Sequence, residues 1–295
     1  MSIKIGNSPE SWGVVGPDDP DQTPWHRFLD EVTEAGYECI ELGPYGYLPT
    51  DPLVLRSELE HRGLRLTAAG LLSPLEDPSA WPDLKESALR AGDLVASLGG
   101  SFFLVVDGFI TGGVGRRADP KERLDKSQWD RLIETTHKVA ELAHDRLGLQ
   151  LAFHPCADTH VQFEDQIEAF LEETDPKRVS LCLDTGHHAY RGGDPVSFMR
   201  KHHERIPYLH LKSVDAALRK RVNDDNLPMT EAVKMGMMCE PDIGAVDFKA
   251  FGDVLREVGY DGYCVVEQDT HRPPLDVPFQ IAKRTRDYLR HVDVG

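Results

Sequence analysis

The chain has no apolar run approaching the ~20 residues that a membrane span requires, which argues against a membrane-embedded protein. Its opening stretch, MSIKIGNSPESWG, lacks a basic segment followed by an apolar one, so no secretory leader is expected. Cysteine is scarce. The five residues Cys39, Cys156, Cys182, Cys239 and Cys264 form an odd set with no CxxC pair. Cys39, Cys182 and Cys264 lie in or beside apolar runs and read as small buried hydrophobes, which fits a reducing cytosol. Positive charge is also short: 33 Lys and Arg stand against 50 Asp and Glu, a net charge of −17. That balance argues against binding to a phosphate backbone or an anionic lipid surface. No GxGxxG follows the first strand-like run and no P-loop occurs anywhere. Low-complexity segments, tandem repeats and linkers are absent as well. The expected partner is a small molecule, with no nucleic acid and no membrane; self-association is left open.

What is present is an alternation. Short apolar runs occur at Ile3–Asn7, Tyr37–Leu42, Leu64–Leu71, Ser101–Asp107, Leu149–His154, Val179–Asp184, Ile206–Lys212 and Tyr263–Glu267. Their near-continuous apolarity suits strands covered on both faces. Amphipathic stretches fall between them, at Trp25–Ala35, Trp81–Leu98, Gln128–Leu147, Phe163–Leu171, Pro195–His203, Phe248–Val258 and Val277–Leu289. Glycine often separates helix from strand, as in Ala35-Gly36-Tyr37 and Arg62-Gly63-Leu64. Eight such strands predict an α/β fold, a (β/α)8 TIM barrel in a single domain over residues 1–295, with a doubly wound sheet as the alternative. Two intervals, Phe109–Lys126 and Ser213–Asp247, are too long for simple connections; both follow strand ends, where long loops cover active sites.

Barrel enzymes carry their chemistry at the C-terminal ends of strands. Run six ends in Asp184, run seven holds His210 and run eight ends in Glu267. Each charged or polar group closes an apolar strand, which is costly unless it is paired or bound to metal. Taken singly, Asp184 reads as a helix cap, His210 as a core histidine and Glu267 as a surface carboxylate. Together, on consecutive strands, they form an O/N/O set suited to Mn²⁺, Mg²⁺, Co²⁺, Fe²⁺ or Zn²⁺, with Mn²⁺ or Co²⁺ favoured. A fourth ligand is expected from run five.

The segments Leu183-Asp184-Thr185-Gly186-His187, Leu209-His210-Leu211-Lys212 and Val265-Val266-Glu267 resemble the metal-site strands of the xylose isomerase-like TIM-barrel superfamily of sugar isomerases and epimerases. Three further segments resemble its inosose (2-keto-myo-inositol) dehydratase family: Ser8–Gly13, Glu41–Tyr47 and Phe153–Gln162. The resemblance implies metal ligands at Asp184, His210 and Glu267, with Gln162 as the fourth; many superfamily members carry Glu where this chain has His154. It also implies a carbon–oxygen lyase that dehydrates an inosose-type ketone through an enolate, or a keto-sugar isomerase or epimerase on the same ion. His154, His187, Lys212 and Glu41 stand near strand mouths as candidate acids and bases. Trp12, Tyr45 and Tyr47 are candidates for a wall under a sugar ring, and Arg191 for a contact to a substrate oxygen. His188 reads as a surface residue at a helix start, and Arg219–Asp225 as a solvated face. The endonuclease IV branch, acting on damaged DNA, conflicts with the charge of −17. A sugar-binding module would not need several titratable groups converging on a metal.

Overall fold

The computed structural model describes residues 3–110 and 124–295. Eight parallel strands close into a barrel: β1 (Lys4–Asn7), β2 (Cys39–Glu41), β3 (Arg65–Ser73), β4 (Phe102–Asp107), β5 (Gln150–Phe153), β6 (Val179–Asp184), β7 (Tyr208–Leu211) and β10 (Tyr263–Val266). They pair in chain order, and β1 closes the ring by pairing with both β2 and β10. The (β/α)8 barrel expected from the alternation is therefore the observed fold. Two apolar layers stabilise it. A large one lies between strands and outer helices, and a small one fills the barrel interior with Ala68, Phe102, Leu104, Ala152, Cys182, Tyr208 and Val265.

The outer helices are α1 (Trp25–Glu34), α2 (Pro52–Arg62), α3 (Trp81–Ser97), α4 (Lys126–Glu141), α5 (Glu164–Glu173), α7 (Pro195–His202), α10 (Phe248–Glu257) and α11 (Val277–His291). Helix α2 was not visible in the periodicity. Leu55 and Leu59 are buried, but Leu53 and Val54 face solvent, so apolar residues ring the helix instead of marking one stripe. Its ends are nonetheless signalled. Asp51 accepts hydrogen bonds from the Leu53 and Val54 amides, Pro52 follows, and Gly63 ends the helix at φ 67°. The stretch expected over Gln128–Leu147 splits, its last turn Leu142–Leu147 widening into a π-helix.

The long interval Ser213–Asp247 is structured. It holds the antiparallel pair β8 (Ser213–Val214) and β9 (Met238–Cys239), with α8 (Ala216–Asp225) and α9 (Met229–Lys234) between them. Only Val222 of α8 is buried, as expected for a solvated charged face. The other long interval falls mostly on 111–123, outside the described residues. A short helix, α6 (Thr185–Tyr190), starts directly at the end of β6. No helix among the described residues is long and apolar enough to cross a membrane.

Candidate active site

Strand periodicity places the site. Side chains two residues apart share a face, so on β5, β6, β7 and β10 the interior apolar residue is followed, one layer nearer the C-terminal mouth, by a polar one. Ala152 leads to His154, Cys182 to Asp184, Tyr208 to His210 and then Lys212, and Val265 to Glu267. Register brings Asp184 beside His210 across β6 and β7.

The resulting cluster is dense. Lys212 Nζ lies 3.0 Å from Asp184 Oδ2, 2.8 Å from Glu267 Oε2, 2.7 Å from Asp269 Oδ2 and 3.3 Å from His187 Nε2. His210 Nδ1 is 3.1 Å from Glu267 Oε2 and 3.8 Å from Asp184 Oδ2, while His210 Nε2 contacts Glu41 Oε1 at 2.7 Å. Tyr208 donates to the same Glu41 oxygen at 2.8 Å. His154 Nε2 faces Asp184 Oδ2 at 3.6 Å. The other Asp184 oxygen accepts from the His187 amide at 2.8 Å, so Asp184 also caps α6. Gly186 is needed for the lysine: a Cβ there would sit 2.4 Å from Lys212 Cγ.

These contacts set the charges. Burial alone would lower the Lys212 ammonium, but Asp184, Asp269 and Glu267 hold it well above its ordinary range. Burial opposes ionisation of Asp184, yet Lys212 and His187 keep it below the usual carboxylate range. Glu267 is likewise held low, against burial, by His210 and Lys212. Burial and the neighbouring Lys212 push His187 down to about 3, so its ring is neutral. Burial would lower His210, but Cys182, Glu267 and Glu41 raise it.

The donor set fits a divalent ion. Both ring nitrogens of His154 are buried and lack a hydrogen-bond partner, while Asp184 Oδ2 and His210 Nδ1 are met only by Lys212 and Glu267 of the same cluster. Native interiors leave few such atoms orphaned. His154, Asp184, His187 and Glu267 place ligand atoms within 4.8 Å of one another, as do Glu41, His210 and Glu267. Glu41 behind His210 has the form of a carboxylate that orients a metal-ligating imidazole.

Other expected residues are placed differently. The Gln162 side-chain oxygen accepts from the Asp158 amide at 2.9 Å. Trp12 is buried against Phe28, edge to face at 4.9 Å, and donates to Glu31. Tyr47 is buried too, its hydroxyl bonded to the Thr23 carbonyl. Both rings serve the core because they lie on its side of the loop, and neither walls the cavity. Arg191 is nearly fully enclosed and pairs with Asp158, so its guanidinium is committed to a loop contact. His188 is buried, 3.2 Å from Glu164, not a surface residue. Tyr45 alone of the proposed ring wall lines the mouth cavity.

That cavity measures about 320 Å³. Its polar lining is Glu10, Glu41, His154, His210 and Glu267; Tyr45, Leu71, Leu104 and Val106 are among its apolar walls. Glu10 and Asp269 were not anticipated as site residues. Each carries a readable signal: Glu10 is an acid just past the mouth of β1, and Asp269 repeats the two-residue period after Glu267. Burial, Glu267 and Glu41 raise Glu10 to about 8.

The profile of the xylose isomerase-like TIM barrel matches residues 29–292. The chain belongs to that family. Within the xylose isomerase-like TIM barrels, its relatives include the inosose dehydratase of Geobacillus thermodenitrificans NG80-2, 29% identical over 294 residues that cover 98% of this chain and 96% of that one. The inosose dehydratase of Geobacillus kaustophilus HTA426 is 30% identical, covering 97% and 94%. The resemblance read from the sequence thus holds over the full length. Among solved structures, the Escherichia coli 3-keto-D-glucoside 4-epimerase YcjR shares the fold with a TM-score of 0.72 at 17% identity, covering 98% of this chain and all of that one. An IOLI protein solved with zinc aligns at 0.71 and 16% identity, covering 98% of each chain. The protein is an enzyme of the dehydratase or isomerase/epimerase type.

Proposed function

We propose that this enzyme dehydrates an inosose-type cyclic polyol ketone with the aid of a divalent ion held by His154, Asp184, His210 and Glu267. The observation that carries the reading is an unpartnered buried imidazole, His154, facing Asp184 and sharing with His210 and Glu267 the lining of a cavity of about 320 Å³, a volume within the range of small-molecule sites. His154 takes the fourth position in preference to Gln162, whose oxygen is already engaged. Imidazole and carboxylate together suit Mn²⁺, Co²⁺, Fe²⁺ or Zn²⁺. When bound, such an ion acts as a Lewis acid on a substrate carbonyl and acidifies the adjacent C–H.

The chain's own groups do the rest. Glu41 orients His210. Lys212, saturated by three carboxylates, has no lone pair to offer as a base and serves as a fixed positive charge. His187, held low by burial and Lys212, stands beside the cluster as a neutral imidazole. The same reading takes residues 1–295 as one domain working in the cytosol on a small polyol; all five cysteines are free and buried, in keeping with that compartment.

The test is incubation of Mn²⁺-loaded enzyme with 2-keto-myo-inositol in D₂O. Solvent deuterium incorporation with loss of water is expected. Incorporation with retained mass would replace the reading with an epimerase, and neither outcome would leave a binding protein.

A further inference from the structure

A second cavity borders the same cluster. It measures about 310 Å³ and lies between the insertion that follows β7 and the loop that follows β10. Val233, Met238 and Ile243 line it from the insertion and Gln268 and Asp269 from the loop, and it shares no lining residue with the mouth cavity. Lys212 links the two. Its buried ammonium pairs with Glu267, which lines the mouth cavity, and with Asp269, which lines the second one. We propose that this second cavity is a binding site for a neutral cyclic polyol, separate from the mouth; the inference stands without the dehydratase reading.

The lining selects the ligand. Gln268 is buried, and its side-chain oxygen has no hydrogen-bond partner. Native interiors leave few such acceptors unpaired, so this one calls for a donor from outside the chain. Asp269 and Glu240 place two carboxylates in the same lining, which opposes an anion. Both are already paired, Asp269 with Lys212 at 2.7 Å and Glu240 with Arg284 at 2.6 and 3.0 Å, which leaves little to attract a cation. Lys234 and His271 are exposed at the rim, and Lys234 is paired with Glu231 at 2.7 Å. A paired carboxylate still has lone pairs for a hydroxyl. The lining therefore offers hydrogen-bond acceptors alongside an apolar wall, whose Ile243 is 70% exposed. A cyclic polyol matches both, with hydroxyls that donate and a C–H face that packs.

Both walls are held by the fold. Pairing of β8 with β9 sets Met238 opposite Val214, and the Val246 amide donates to Ser213 Oγ at 3.1 Å. On the other side, the Gln268 amide donates to Ser11 Oγ at 3.0 Å, tying the β10 loop to the 3₁₀ turn Pro9–Trp12. A preformed cavity spares a ligand the cost of ordering the loops around it.

The experiment titrates the full-length chain with myo-inositol and follows backbone amide chemical shifts, first free of metal and then in the presence of Zn²⁺. Saturable shifts are expected at Gly236, Ile243 and Thr270, with the same Kd in both conditions. Gln268→Leu removes the unpaired acceptor and should weaken binding about tenfold or more, the size of one hydrogen bond left unmade. Ile243→Trp fills the rim from an exposed position and should weaken binding too, which covers a Gln268→Leu chain that fails to fold. Leu71→Trp narrows the mouth cavity and should leave Kd unchanged. The proposal is overturned if the wild type shows no saturable shifts, or if binding requires Zn²⁺ or is lost in Leu71→Trp. Unchanged affinity in both Gln268→Leu and Ile243→Trp, or an equal response to inorganic phosphate, would overturn it as well. A chain that binds inositol here and dehydrates nothing would refute the dehydratase reading and leave this site standing.

Discussion

Two histidine–carboxylate clusters stand at the C-terminal mouth of the barrel, and their polar atoms are used differently. In the first, Glu76 comes from the loop after β3, Asp107 from the end of β4 and His160 from the loop after β5. Asp107 Oδ1 accepts from the amides of Leu75 and Gly108 at 3.2 and 2.8 Å. Its Oδ2 accepts from the His160 amide at 3.2 Å and meets His160 Nδ1 at 2.8 Å. Only Glu76 Oε2 is left over. In the second, around Asp184, both ring nitrogens of His154 have no partner, and Asp184 Oδ2 is met only by the Lys212 ammonium at 3.0 Å. Residue types alone do not separate the clusters, since both offer imidazole and carboxylate within reach of one another. Satisfaction separates them. A buried carboxylate whose lone pairs are filled by backbone amides is a clamp, and one facing an unpartnered imidazole is the proposed ligand site.

The largest test of that contrast is Asp184→Ala. Loss of bound ion and a fall in kcat/KM on the order of 10³-fold are expected, equivalent to the several kcal/mol a Lewis acid contributes. Ion content by atomic spectroscopy and steady-state kinetics check this, and a variant that keeps both would erase the difference between the clusters. Next in size is Asp107→Ala. It strands three amide donors, those of Leu75 and Gly108 buried, at a cost of about 2–4 kcal/mol, so the melting temperature should fall by roughly 5–10 °C while ion stoichiometry stays that of the wild type. A change in stoichiometry would make the clamp a second metal site.

The smallest effect is in pH. Burial would lower His160, but Asp107 and Glu76 raise its folded pKa above the ordinary value. A raised folded value adds stability that is complete below about 6.5 and is lost as pH rises through the folded pKa. Thermal melts of His160→Gln should therefore show a flatter fall between about pH 6 and 8 than the wild type, and parallel curves would remove the charge from the clamp.

Much of the barrel was legible because covered parallel strands read as unbroken apolar runs, and the mouth residues because each sits two positions past an interior side chain. Asp184, His210, Lys212 and Glu267 share that logic. What escaped lies outside strand periodicity. Trp12 and Tyr47 sit in a motif that looked like a sugar wall, but the direction in which a loop ring points depends on tertiary packing against Phe28. Arg191 met Asp158, a residue held at φ 64° in a loop whose path no spacing rule predicts. The proposed preference for His154 over Gln162 rests on one amide, that of Asp158, which donates to the glutamine oxygen. Helices α8 and α9 hid inside an interval that read only as too long.

The Lys212 ammonium has a consequence for how the protein is assembled. Three acids that would otherwise repel one another at the barrel mouth already share a covalently tethered cation. The polypeptide therefore need not wait for a metal to complete its fold. On the metal reading proposed above, an ion would enter a barrel whose mouth charges are already balanced.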